Sequence, residues 1–127
     1  MNKETAARVM GHQLKGIMLH VDLCKAYILH KNRRCAMKHY KHMMGETKNH
    51  MLTNQYVIEC LGEIVEPSRP PQIILPTEEE KLFDVWQQYE RDTAAFYQQL
   101  IDEDPHCCWW KKLHADAKKE IRHAKIL

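Results

Sequence analysis

Four of the five prolines, Pro67, Pro70, Pro71 and Pro76, fall within ten residues and divide the chain into two stretches with almost no helix breakers. A proline lacks the amide proton that a helix needs and its ring collides with the preceding turn, so no helix crosses this segment. Extended backbone is what remains there. On either side glycine is sparse, and no apolar–polar alternation lasts for the length of a strand. The predicted fold class is therefore all-α.

Within the first stretch, Met10, Leu14, Ile17, Val21, Cys24 and Ile28 recur at the spacing of one helix face and predict a helix over residues 3–30. The polar run His30-Lys31-Asn32-Arg33-Arg34 interrupts it. A second helix is predicted over 34–64, with Met37, Tyr40, Met44, Met51, Ile58 and Leu61 inward and Gly62 at its end. Two long helices with so short a link must fold back on each other. After the Pro-rich crossover 66–76, Thr77 and Glu80 have the spacing of a capping box that starts a third helix, 78–102. Its inward stripe is Leu82, Trp86, Tyr89, Thr93, Tyr97 and Leu100. Asp104 as N-cap, with Pro105 at the first helical position, predicts a fourth helix over 105–126. The expectation is one domain, 1–127: an antiparallel four-helix bundle made of two helical hairpins and one long crossover.

At 127 residues and 44% hydrophobic, the chain can bury a core without a disulfide framework. Its formal net charge is +2 and its charges are interspersed, which argues against a nucleic-acid surface. No apolar run reaches the length of a membrane span, and the first residues have no signal-type core. A soluble, cytoplasmic protein with no membrane partner is expected. Five cysteines without a Cys-x-x-Cys pair point to reduced thiols rather than a thiolate zinc site.

Chemistry enters through polar residues on apolar faces. Glu120 falls within about 60° of the stripe made by Trp109, Trp110, Leu113, Ala117, Ala124 and Leu127, and Glu90 lies about 40° from Trp86 on the third helix. Glu90 precedes Asp104 by 14 residues and Glu120 follows it by 16, so an antiparallel pair brings them to nearly the same height. Burying a carboxylate demands a cation, a proton or a hydrogen-bond network. On the first hairpin, His20 matches Glu46 in height and lies one turn from His50, all three being flank positions. With His123 these residues make a candidate polar layer, and a divalent metal with imidazole and carboxylate ligands meets its needs.

The run Glu120-Ile121-Arg122-His123 resembles the Glu-x-x-His motif with which ferritin-like di-iron carboxylate proteins supply ligands from their last helix, and Glu46 to Asn49 takes the corresponding place on the second. The chain departs from that pattern at Asn49, where the family has His, and at His20, where it has Glu. The resemblance implies a ferritin-like bundle whose metal ligands are Glu90, Glu120, His123, His20, Glu46 and His50, with one or two iron ions and ferroxidase-like oxidation of Fe(II). A homo-oligomer is a further expectation. Two other readings stand beside it: a bundle that has lost its metal and serves as an interaction or scaffold protein, and an enzyme using Glu90 or Glu120 as a general base.

Overall fold

The computed structural model describes residues 1–126, and side chains through residue 122. It consists of four helices, α1 (Lys3–Leu29), α2 (Arg33–Leu61), α3 (Glu79–Glu103) and α4 (Cys108–Ile126), with no strand among the described residues. It divides into two compact units, Met1–Glu79 and Glu80–Leu127.

In the first unit α1 begins at Asn2, whose Oδ1 accepts the Thr5 amide at 2.8 Å. Such a cap supplies a partner to one of the helix's orphan amides and contributes about 1 kcal/mol. The turn into α2 takes only three residues. Lys31 adopts the left-handed conformation at φ 58°, while the amides of Lys31 and Asn32 donate to the carbonyls of Ile28 and Tyr27. This pair of bonds is the Schellman arrangement, with lysine where glycine is usual. Asn32 then caps α2 through the Cys35 amide, 3.1 Å. At the far end Gly62, at φ 72°, closes α2 where the sequence places its end.

The segment after Gly62 runs back along this helix pair. Val65 joins Ala6, Met10 and Val57 in a buried cluster. The Ser68 amide donates to the Ala7 carbonyl at 2.9 Å, and Gly11 faces the Ser68 backbone so closely that a Cβ there would collide with the Ser68 carbonyl oxygen. Near the α1–α2 turn, the His30 ring bonds the Thr77 carbonyl at 2.9 Å and Asn32 Nδ2 donates to Glu79 Oε1 at 2.7 Å. The crossover is thus stitched to α1 near its start and to the turn at its finish. Its four prolines carry no amide proton that would need a partner.

The buried faces of α1 and α2 differ from those the periodicity predicts. On α1 the buried residues are Ala6, Val9, Met10, Gly11, Gln13, Gly16, Leu19, His20, Leu23 and Tyr27, and Ile28 is exposed. On α2 they are Ala36, His39, Thr53 and Val57, whereas Met37, Tyr40, Met44, Met51 and Ile58 are exposed, Met51 by 65%. Both helices are turned by about one residue, or 100°, from the apolar stripe. The reason is that the inner face of α2 carries His39, Glu46, His50 and Thr53 beside Ala36 and Val57, and these polar groups meet Gln13 and His20 of α1, which leaves Met37, Met44 and Met51 outside.

In the second unit the prediction for α3 holds. Leu82, Trp86, Tyr89, Thr93, Tyr97 and Leu100 are all buried, with Glu90 among them. The Thr93 hydroxyl donates to the Tyr89 carbonyl at 2.8 Å, which removes the cost of burying it. On α4, Trp110, Leu113 and Ala117 are buried. The start of α4 is a correction, because Pro105 and His106 form a turn in which the Cys107 amide donates to the Asp104 carbonyl at 3.2 Å, and the helix begins at Cys108. Proline's fixed φ suits the second position of a β-turn as well as a first helical position, and here the turn wins. All five cysteines are free thiols. No helix among the described residues is long and apolar enough to cross a membrane.

Candidate metal centre

His20 is the hub of the first unit's polar interior. It sits on the inner face of α1, fully buried, and both ring nitrogens meet polar atoms of α2. Its Nε2 lies 3.3 Å from Glu46 Oε1, and its Nδ1 lies 2.9 Å from Nδ1 of His39. Glu46, three-quarters buried along its side chain, thus meets His20 as the matched heights predict, although the helical wheel places it well off the apolar face. His39 also stacks on Tyr27 with ring centroids 5.5 Å apart, and His42 stacks on His20 at 5.4 Å. On α2 the positions 39, 42 and 46 follow the i, i+3, i+7 spacing of one helix face.

Burial, with the neighbouring imidazoles of His20 and His42 adding to it, pushes the His39 pKa down to about 3. At neutral pH this ring is therefore an uncharged donor and acceptor. Burial raises the Tyr27 hydroxyl to about 12, with Cys35 and Glu79 adding to the shift. These are the marks of a dry interior in which charge is costly.

His50 belongs to a different layer. Its Nδ1 lies 3.0 Å from Gln13 Oε1, and Gln13 Nε2 donates to Thr53 Oγ1 at 2.8 Å. That network uses His50 as a hydrogen-bonding bridge between α1 and α2, away from His20.

In the second unit Glu90 is 2% exposed and accepts a hydrogen bond from Trp86 Nε1, one turn earlier, at 3.0 Å. The inward glutamate read from the wheel is thus held in place by an indole on its own helix. Glu120 is half-buried, with its Oε2 out of contact with solvent. His123 lies outside the residues whose side chains are described.

Chemically, the first unit offers imidazoles and one carboxylate within a few ångströms, and the second offers buried carboxylates. His20 and Glu46 present ligand atoms close enough to share one ion. Divalent transition metals take such mixed nitrogen and oxygen donors. His39 and His42 escaped the sequence reading because they fall off the apolar stripe. A signal was present, since four of the nine histidines lie between residues 30 and 50 and two of them have His-x-x-His spacing. No family model, curated protein or solved structure matches the chain.

Proposed function

We propose that this chain is a ferritin-like, antiparallel four-helix protein that binds one or two transition-metal ions, iron first among them, at a carboxylate and histidine centre. The donors we assign to it in the first unit are His20 and Glu46, whose ligand atoms lie within reach of one ion. Glu90, Glu120 and His123 are the donors that the ferritin-like pattern would supply from the second unit. A bound iron would supply the redox chemistry of Fe(II) oxidation. The chain's part is to balance the ion's charge with carboxylates held out of water and to fill its coordination with a neutral imidazole.

The observation that carries this reading is the fully buried His20 against Glu46, on a helix pair that turns Met37, Met44 and Met51 of α2 outward. Placing an imidazole and a carboxylate inside while leaving large apolar side chains outside costs stability, and a bound ion offsets that cost. The buried Glu90 adds a second carboxylate of the same kind.

The test is elemental analysis of untagged protein, then Fe(II) titration of wild type, Glu46→Gln and Glu90→Gln. About one or two equivalents of metal in wild type, lost in both variants, supports the centre. Weak uptake, equal in all three proteins, overturns it.

A second reading, an interaction protein without metal, is favoured by the exposed stripe Met37, Tyr40, Met44, Met51 and Ile58 on α2. Apolar side chains in one row on a helix face suit a partner, including a further copy of the chain.

A further inference from the structure

We propose that the exposed row Met37, Tyr40, Met44, Met51 and Ile58 on α2 is a self-recognition face, through which two copies of the chain pair helix against helix in antiparallel orientation. The pairing rests on the second reading above for its use of this row, and it does not depend on metal.

Each of the five side chains is 42–65% exposed, so the described residues of the chain itself leave the row open. Met37, Met44, Met51 and Ile58 recur every seven residues, which is the repeat of a seam between two helices that coil about each other. Contact with α1 does not account for that repeat. The side of α2 that meets α1 is a different one, carrying the buried Ala36, His39, Thr53 and Val57. From Met37 to Ile58 the row is about 32 Å long at 1.5 Å per residue.

What covers the row follows from how it reads when reversed. Laid antiparallel on a copy of itself about its midpoint, Met37 falls opposite Ile58, Met44 opposite Met51 and Tyr40 opposite Gln55, so every methionine of the row meets an apolar side chain and the phenol meets an amide. Charge selects this orientation over the parallel one. From Arg33 to Lys48 the exposed charged side chains of α2 are Arg33, Arg34, Lys41 and Lys48, whereas from Met51 to Leu61 the exposed charged side chain is Glu59. A parallel pair sets cations against cations along half its length. In the antiparallel pair Glu59 of each copy comes beside Arg34 of the other, because both lie on the same edge of the row, and a two-fold axis makes the contact twice. The face is thus complementary to itself reversed, which points to a second copy as its occupant. Lys48 meets its own copy near the axis, so Lys48→Gln should tighten the pair.

The experiment is sedimentation equilibrium of the full chain from about 1 µM to about 1 mM. Wild type is compared with the double variant Met44→Ser/Met51→Ser, with Arg34→Glu, with Glu59→Lys and with an equimolar mixture of the last two, while circular dichroism reports helix content. Expected is a monomer–dimer equilibrium in wild type, weakened at least about 100-fold in the methionine variant, because four apolar side chains leave the interface. Since the row is exposed within one chain, the helix content of that variant stays as in wild type. Arg34→Glu and Glu59→Lys each weaken pairing about three- to tenfold at low salt, and their mixture restores it, an effect that fades as salt rises. A chain that stays monomeric throughout overturns the proposal, and so does a dimer indifferent to both methionines. A methionine-dependent dimer whose charge variants recover nothing on mixing overturns the antiparallel orientation. Metal uptake is read separately by the Fe(II) titration, so a failed pairing and a failed metal-free reading give different results.

Discussion

The two units differ in how polar a helix face they turn inward. In the second, α3 buries a continuous apolar and aromatic stripe with one glutamate in it, and its outer face is polar, tied by pairs such as Gln88 with Asp92 and Gln98 with Asp102. In the first, α2 buries His39 and Thr53 beside Ala36 and Val57, half-buries His42, Glu46 and His50, and leaves Met37, Met44 and Met51 outside. A helix with one apolar face shows its orientation in its periodicity. A helix with a polar interior does not, because hydrogen bonds among side chains, rather than area removed from water, decide which face turns inward.

That contrast breaks most readily at Trp86. Trp86→Ala removes a fully buried indole and the donor that holds Glu90, and should lower unfolding stability by about 3–5 kcal/mol in denaturant melts. A loss under 1 kcal/mol would mean that α3 is not held by its apolar stripe.

The polar interior of the first unit should reveal itself through pH. His39 in the folded chain titrates near 3, below its ordinary value near 6.5, so as pH falls the unfolded chain takes up the proton first. Its contribution is complete above about pH 6.5 and is lost progressively down to about pH 3, with a slope of up to about 1.4 kcal/mol per pH unit. His39→Gln should flatten the stability curve in that window without abolishing the slope, since burial also lowers the titration of His50 and His114. An unchanged slope would contradict the buried, neutral state of His39.

Gly11 tests the join between crossover and helix. Alanine is the better helix former, yet Gly11→Ala should destabilise by about 1–3 kcal/mol, because its Cβ meets the Ser68 backbone and cannot rotate away. A stabilised variant would show that the crossover does not lie against α1 in solution.

The smallest effect sharpens the comparison. Met44→Ser and Met51→Ser, at the positions that periodicity assigns to the core, should change stability by no more than about 0.5 kcal/mol. A cost of 2 kcal/mol or more in the monomer, on the order of burying such a side chain, would mean that the stripe is covered.

Much of the layout was legible from residue types. The prolines between 67 and 76 mark the crossover, Gly62 ends α2, and the Leu82–Leu100 stripe orients α3 and places Glu90 inward. Pro105 misled because one backbone angle serves both a turn and a helix start. In the site, His20 and Glu46 were reached by matching heights across the turn. His39 and His42 were missed because the wheel ranks faces by hydropathy and discards imidazoles that point inward. His50 was placed near His20 by height, whereas Gln13 and Thr53 hold it in another layer.

Local chemistry was enough to specify how many helices form and, within a few residues, where they stop, since proline, glycine and caps act through backbone geometry alone. The rotation of α1 and α2 about their axes needed the tertiary structure. That choice rests on whether buried polar groups find partners from another helix, and such partners, His20 with His39 and Gln13 with Thr53, are 19 and 40 residues apart in sequence.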